Sequence, residues 1–300
     1  MHKSLALAFV MVLPLAGCSG NGNQAKGPGV DDRASADVLV KNAVETRTSL
    51  SSIAGKGVMR IVDQPNQFGL VVNADLVADD SDRLRIRADK LAGAIQAFDV
   101  VMLGDDIGFY IPTQNTLYHG KVRDLQYFSF NFDPDEVLRQ MLRPEAGLLL
   151  KHWRRAETGA EDPRNTLAVE EDAPIGRPRL RLAIDRRTGM LASVTQLDGL
   201  NQPVMIKRYD DYRNLGQKQL AKGSLSGVVF PYLISFSWPR ERRMMEMHFK
   251  SVEGNAVVLD DDFDIATSAG TRYLPLVEAR MEGDEPMAAM SSERAYAVMK

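Results

Sequence analysis

Charged and apolar side chains alternate strictly in residues 83–88, which read RLRIRA. A period of two is typical of a β-strand with one exposed and one buried face. A second apolar run, 94–103, ends at Gly104-Asp105-Asp106, residues that tolerate turn geometry, and alternation resumes at 107–111. These runs predict consecutive antiparallel strands joined by short turns, which is a β-meander.

The same strand pattern recurs on both sides of this segment. The further strands that we predict are 58–62, 67–77, 116–121, 166–169, 179–185, 190–197, 204–212, 230–239 and 244–252. One helix is predicted near 37–50, where Asp37 can cap the N-terminus, and another near 134–143, where Asp133-Pro134-Asp135-Glu136 is a typical helix start. We therefore predict a mainly β fold of the α+β type, with a curved antiparallel sheet wrapped around two helices.

Composition argues against several classes of function. The 300 residues carry a net charge of −3, whereas a nucleic-acid-binding protein would need a large basic excess. The sequence presents no nucleophile–base pair and no His or Cys cluster with ligand spacing, so we expect neither an enzyme nor a cofactor or metal site. The acidic run 260–264 lacks calcium-loop spacing, and a solvated acidic turn is favoured over a Ca²⁺ site.

The N-terminus predicts export and lipid anchoring. Residues 5–15 form an apolar stretch too short to span a bilayer, and it leads to Leu15-Ala16-Gly17-Cys18, which resembles the bacterial lipobox. Such a motif implies cleavage before Cys18, the only cysteine, and its acylation with palmitate-like chains. An ordinary secretory signal with an incidental cysteine is the alternative.

We therefore predict a signal peptide over 1–17 and a flexible tether over 18–36, because the tether is rich in small and polar residues and has little to bury. Two or three acyl chains would hold the protein stably on a membrane. Ser19 after the cysteine permits outer-membrane sorting under the proteobacterial rule. The predicted location is the bacterial cell envelope, on the outer membrane facing the periplasm.

Arginines form two rows on the predicted strands. The first row is Arg83, Arg85 and Arg87, and the second is Arg179 and Arg181. Their spacing places each row on one face of its strand. We predict that these rows are the exposed faces of half-buried strands, and contact with lipid phosphates is the alternative.

The order of several short motifs resembles a known family. The motifs are, in chain order, 90–93 (KLAG), 103–106 (LGDD), 109–110 (FY), 138–142 (LRQML), a hairpin from 182 to 209, and a Pro231-led strand followed by Met245, Met247 and Phe249. Across 37–265, this order resembles the LolA/LolB-like periplasmic lipoprotein carrier and receptor family of the Lol pathway, especially its outer-membrane receptors. The chain departs from the family by inserts near 154–165 and 213–228.

The resemblance implies an incomplete, strongly curved β-barrel whose apolar inner face is covered by helices and receives acyl chains. It implies a domain of this kind over 37–276, followed by a tail over 277–300. It also implies that Leu91, on the loop between the third and fourth strands of the family fold, reaches a membrane or incoming cargo. Packing of Leu91 against the sheet edge is the alternative.

One face of the predicted strands is apolar and carries methionines, which suits irregular acyl chains because Met repacks easily. The candidate ligand-lining residues are Leu84, Ile86, Phe98, Val100, Met102, Phe109, Ile111, Met245, Met247 and Phe249. The same alternation would serve a dry core under the two helices, so both interpretations stay open.

Two functions follow from these observations. The first is a lipid-anchored envelope lipoprotein that binds the acyl chains of lipoproteins or lipids in a half-barrel and acts in lipoprotein localisation to the outer membrane. The second is a structural or assembly lipoprotein that docks an envelope protein without a bound lipid. The predicted partners are the membrane, through the N-terminal acyl chains, and an acylated lipoprotein or lipid; no oligomeric state is predicted.

Overall fold

The computed structural model describes residues 29–31, 33–45, 50–65, 67–90, 95–127, 146–156, 165–174, 176–215 and 229–276. Three predictions fall outside these ranges: the acylation site Cys18, the loop residue Leu91 and the helix near 134–143. The signal peptide and the tail over 277–300 lie outside them as well. Among the residues described, none of the helices has the length and hydropathy needed to cross a membrane.

The described residues form one α-helix and a sheet of fourteen strands. The helix is α1 (Ala36–Glu45), and the strands are β1 (Ser52–Asp63), β2 (Phe68–Asp79), β3 (Arg83–Lys90), β4 (Ile95–Leu103), β5 (Asp106–Ile111), β6 (Thr116–Lys121), β7 (Trp153–Arg155), β8 (Thr166–Glu171), β9 (Arg179–Asp185), β10 (Leu191–Leu197), β11 (Pro203–Asn214), β12 (Val229–Trp238), β13 (Arg243–Gly254) and β14 (Arg272–Pro275). Short 3₁₀ helices cover Pro112–Gln114, Val122–Tyr127, Ala146–Leu150 and Asp260–Phe263. Each strand predicted from the sequence is present, whereas β7 and β14 have no counterpart among the predicted strands.

All of these strands belong to one sheet with the order β14-β6-β5-β4-β3-β2-β1-β13-β12-β11-β10-β9-β8-β7. Strands β1–β6 form the N-terminal meander and β7–β13 form the C-terminal meander, and the two join where β1 pairs with β13. Neighbouring strands are antiparallel except β14 and β6, which are parallel. The sheet is curved and unclosed, with β7 and β14 at its two edges. This architecture confirms the predicted mainly β fold with a curved, incomplete barrel.

Turns of the predicted residue types connect the strands. Between β4 and β5, Gly104 has a left-handed φ of 61°, which glycine adopts without steric cost. Between β9 and β10, the Asp185 carboxylate accepts hydrogen bonds from the backbone N–H and the hydroxyl of Thr188, at 2.7 and 2.9 Å. Such turns help to hold the register, and a slip of one residue would move every apolar side chain to the other face.

Helix α1 packs on the C-terminal meander, against β7, β9, β10 and the 3₁₀ helix Ala146–Leu150. Its buried side chains are Ala36, Leu39, Val40, Ala43 and Val44. The predicted cap is wrong, because Ser35 rather than Asp37 caps the helix. Ser35 Oγ accepts the backbone N–H of Val38 at 3.4 Å. Asp37 Oδ1 accepts the backbone N–H of Trp153 at 2.9 Å and thereby ties α1 to β7.

Residues 255–276, called here the outer strap, cross the face of the N-terminal meander that is opposite to the apolar cluster. Arg83 Nη1 donates to Asp260 Oδ1 at 2.6 Å, and Arg85 Nη1 donates to the backbone oxygen of Asp262 at 3.0 Å. The strap ends as β14, which adds to the edge of the sheet beside β6. Part of the outer face of this half of the sheet, around β3, β5 and β6, is therefore covered by the chain itself.

The strap shows that the predicted exposure of Arg83 and Arg85 is wrong, since their side chains are only 25% and 17% exposed. Arg83 also pairs with Asp79 at 2.5 Å, and Arg85 binds the Asp99 carboxylate at two points, 2.9 and 2.6 Å. These hydrogen bonds raise the pKa of both guanidinium groups. The largest cause is the bond to Asp79 for Arg83 and the bond to Asp99 for Arg85. Arg87 is exposed, as predicted.

The second arginine row is paired in a similar way on the C-terminal meander. Glu170 of β8 is buried, and its carboxylate lies 2.7 Å from Arg179 Nε and 3.2 Å from Arg181 Nη2. Arg154 of β7 approaches the same carboxylate at 3.5 Å. The Arg179 side chain is 10% exposed, so the predicted solvent-facing role is wrong for this residue too.

Candidate functional site

The strand register builds the inner face of the N-terminal meander row by row. Leu84 of β3 lies opposite Met102 of β4. In the next row, Ile86 of β3 lies opposite Val100 of β4, which lies opposite Phe109 of β5. Directly opposed residues on antiparallel strands share a face, so these side chains form one apolar wall.

The candidate ligand-lining residues all belong to, or pack against, a single apolar cluster. Val100 is half-buried, and the other nine are buried. Within the cluster, the ring centres of Phe98 and Phe109 are 5.8 Å apart, close enough for direct aromatic contact. Their role in lining a ligand stays a prediction, because a packed core would bury the same side chains.

The apolar wall continues from the N-terminal meander across β1 and β13. Met247 of β13 lies opposite Met59 of β1 and is fully buried. The ring of Phe249 packs on Gly55, where an added Cβ would lie 2.8 Å from the ring. Phe230 of β12 meets Phe249 edge-on, with ring centres 5.4 Å apart. The two meanders therefore share one continuous inner face.

The candidate residues did not include the part of this face on β11 and β12. The buried residues there are Met205, Lys207, Tyr209, Ile234 and Phe236. On β12 the first four residues are all buried, which hides the period of two. On β11 the alternation is present. It could have placed Lys207 on the buried face, together with Met205 and Tyr209. A lysine is rarely fully buried, so its residue type favoured an exposed position instead.

Helix α1 covers part of the inner face, at β9 and β10 of the C-terminal meander. Apart from the half-buried Val100, the candidate side chains of the wall are buried in this structure.

Lys90 lies at the end of β3, with the same parity as Leu84 and Ile86. It is half-buried, and this burial lowers the pKa of its ammonium group. The predicted loop residue Leu91 follows directly but is outside the described ranges. The border of the inner face thus carries a partly desolvated cation beside the loop that the family resemblance singles out.

Across the described ranges, no three His, Cys, Asp or Glu side chains lie together in a way that could hold a metal ion. The acidic run predicted as a turn is the 3₁₀ helix Asp260–Phe263 of the outer strap. Asp260 pairs with Arg83, and Asp262 Oδ2 accepts the backbone N–H of Leu259 at 2.8 Å. These carboxylates bind donors of the chain itself.

The fold has counterparts among solved structures. A DUF1329 family protein from Desulfovibrio piger is similar with a TM-score of 0.53 at 10% identity, covering 76% of this chain and 95% of that chain. A LolA superfamily protein from Nitrosomonas europaea gives 0.48 at 10% identity, covering 77% and 98%. A domain named for outer membrane lipoprotein sorting, from Vibrio parahaemolyticus, gives 0.49 at 9% identity, covering 76% and 95%.

No protein-family description and no curated protein matches the sequence. At identities near 10%, similarity to solved structures concerns the fold alone. The neighbours include a LolA superfamily protein and a lipoprotein-sorting domain.

Proposed function

We propose that this chain, whose fold is LolA-like, is an envelope lipoprotein that takes the acyl chains of lipoproteins or lipids onto the inner face of its sheet. The observation that carries the proposal is the continuous apolar wall across β3, β4, β5 and β13, which forms one cluster. Such a wall needs no special polar site, because each buried CH₂ group contributes about 0.8 kcal/mol to binding.

To bind on the inner face next to α1, an acyl chain would replace apolar side chains of α1. Full burial of a 16-carbon chain is worth about 12 kcal/mol on the scale of about 0.8 kcal/mol per CH₂. The larger side chains that α1 buries are one Leu and two Val, worth about 5–9 kcal/mol at about 1.5–3 kcal/mol each. An acyl chain can therefore offset the loss of the contacts made by α1.

The finer proposal concerns location and delivery. Cys18 would carry the acyl anchor on the outer membrane, facing the periplasm, and Leu91 would contact the membrane or the incoming cargo. The support is the lipobox-like Leu15-Ala16-Gly17-Cys18 and the tether before α1. The predicted end of the tether at 36 is wrong, because the Val30 backbone N–H donates to the Arg186 oxygen at 2.9 Å and Val30 and Ala34 pack on the core. A tether over 18–29, if fully extended, reaches at most about 40 Å, which leaves the domain free to meet cargo away from the bilayer.

The test compares two variants, each of which introduces one carboxylate on a different face of the sheet. Val100 points to the inner face from β4, and Val71 of β2 is 62% exposed on the outer face, so Val→Asp is the same chemical change at both positions. Binding of a fluorescent fatty acid is measured on chain 18–300 carrying Cys18→Ala, so that no acyl anchor of its own competes. We expect Val100→Asp to weaken binding at least about tenfold, because the acyl chain would have to desolvate a carboxylate.

Val71→Asp is the matched control and should leave the affinity unchanged. Circular dichroism and the melting temperature of both variants are measured alongside, so that unfolding is not mistaken for loss of binding. Equal affinity in the two variants would contradict an inner-face site. A folded, unaltered chain that binds no fatty acid would leave the structural role of docking an envelope protein.

A further inference from the structure

Within the described ranges, three charged side chains are buried: Asp99, Glu170 and Lys207. Asp99 is bound at two points by Arg85 under the outer strap, and Glu170 is held by arginines of the second row. Both acids therefore have a structural partner on the outer face. Lys207 differs from these two acids because its charge is positive and because it lies on the inner face.

Lys207 is surrounded by apolar side chains on its own strand and on both neighbours. It shares the inward parity of Met205 and Tyr209 on β11. Across the ladder it lies opposite Val194 of β10 and Phe236 of β12, both buried. The residue is only 2% exposed, so its aliphatic stem is part of the apolar wall.

From Lys207 toward β2, the cross-strand row is apolar. Phe236 lies opposite Met245, which lies opposite Ile61, which lies opposite Leu70. This row crosses β11, β12, β13, β1 and β2, which is four strand spacings or about 19 Å. On its other side Lys207 is followed by Val194 of β10 and Leu182 of β9, and α1 packs on these two strands. From Lys207 toward β2, the row therefore offers an apolar path that starts at a cation, which matches an amphiphile with one charged end.

A buried ammonium group is costly unless anionic or hydrogen-bonding partners surround it. Lys207 takes part in polar interactions within the fold. Because an ammonium group has three N–H donors, it can keep a partner in the protein and also bind an oxygen of a ligand. A charged hydrogen bond is also stronger inside an apolar site than in water.

We infer that Lys207 makes the inner face selective for acyl ligands with an anionic head, a carboxylate or a phosphate, over uncharged ligands of the same chain length. The inference rests on the proposed function and adds to it the chemical class of the ligand. The head binds at Lys207 on β11, and the acyl chain lies along the row toward β1 and β2.

The experiment compares dodecanoate with methyl dodecanoate, which have the same chain and differ in charge. Binding is measured at pH 7.5 on chain 18–300 with Cys18→Ala, alone and with Lys207→Met or Lys207→Arg. Lys56→Met is the matched control, because Lys56 is exposed on the outer face and pairs with Asp75. Inorganic phosphate is added separately to test whether an anion without a chain competes.

We expect the unaltered chain to prefer dodecanoate by about tenfold or more, the strength of one charge-assisted hydrogen bond. Lys207→Met should remove that preference and keep the affinity for the ester. Lys207→Arg should retain the preference, and Lys56→Met should change neither affinity. Phosphate alone should not displace dodecanoate, since it has no apolar part to bury.

An unchanged preference in a folded Lys207→Met variant would overturn the inference and leave the proposed function intact. Competition by phosphate alone would overturn it too, because the site would then recognise an anion rather than an amphiphile. Failure of the unaltered chain to bind either compound would overturn the proposed function together with the inference. Melting temperatures of all variants are recorded, because Lys207→Met removes one side of the polar interactions of Lys207 and is expected to lower the melting temperature, whereas Lys207→Arg keeps the charge.

Discussion

The two meanders are covered on opposite faces. The N-terminal meander, β1–β6, has part of its outer face under the strap 255–276, while the C-terminal meander, β7–β13, carries α1 on its inner face. A cover on the outer face braces the wall and leaves the inner face available to a ligand. A cover on the inner face competes with the ligand for the same apolar side chains. Stability and ligand access are therefore assigned to different elements of the fold.

The contacts of the two covers fit these roles. The strap inserts Phe263, which is 4% exposed, and the Arg83 guanidinium lies 4.5 Å from the centre of its ring. Helix α1 instead presents small and medium side chains, and the Asp37–Trp153 hydrogen bond connects it to the edge strand β7. The strap is thus held by one buried aromatic side chain and its arginine contacts, whereas α1 is held by side chains that belong to the main apolar cluster and by one hydrogen bond.

The largest effect is expected from Phe263→Ala in the strap. Removing a buried aromatic side chain costs about 3–5 kcal/mol, so the free energy of unfolding should fall by that amount. Affinity for fatty acids should stay the same in the folded protein, because Phe263 lies on the outer face. Chemical denaturation and fatty-acid binding are the two measurements.

Val257→Ala is the control for this variant, since Val257 also lies in the strap but is 89% exposed. It should change the free energy of unfolding by no more than about 0.5 kcal/mol. A Phe263→Ala variant of normal stability and reduced fatty-acid affinity would reverse the roles assigned to the strap and to α1.

A smaller effect on stability, but a clear effect on access, is expected from Asp37→Ala. The change removes the hydrogen bond that ties α1 to Trp153 and should cost about 1 kcal/mol. If α1 must move before a ligand binds, uptake of a fluorescent fatty acid should become about fivefold faster, as the same energy then favours the open state. Stopped-flow fluorescence measures the rate.

Lys41→Ala on the same helix is the comparison, because Lys41 is exposed and pairs only within α1, with Glu45. Its uptake rate should equal that of the unaltered chain. Equal rates for Asp37→Ala and Lys41→Ala would indicate that the ligand enters without displacement of α1.

The smallest effect is expected from Asp260→Asn, at the Arg83 contact of the strap. The Asp260 side chain is 95% exposed, and Arg83 keeps its pair with Asp79 after the change. Exposed ion pairs contribute little, so the melting temperature should stay within about 1 °C. A large decrease would mean that charge pairing, rather than the buried Phe263, holds the strap in place.

Much of the wall could be predicted because it depends on local alternation. The period of two in 83–88 assigns Leu84 and Ile86 to one face of β3 and Arg83 and Arg85 to the other, and the structure has that arrangement. The order of strands and turns was enough to predict a curved antiparallel sheet, whereas the incomplete barrel was implied by the family resemblance. The start of β12 was harder to assign to a face, because its first four residues are all buried, whereas from Tyr232 to Trp238 the burial alternates.

The sequence by itself determined which side chains share a face, since that depends only on the backbone period and the positions of the turns. What lies over each face was decided by tertiary structure. Arg83 meets Asp260 across 177 positions of sequence, and β14 is a four-residue strand that forms only because β6 offers an edge. Lys207 is buried for the same reason: its strand parity is local, but the neighbouring strands that enclose it are brought together only by the folded sheet.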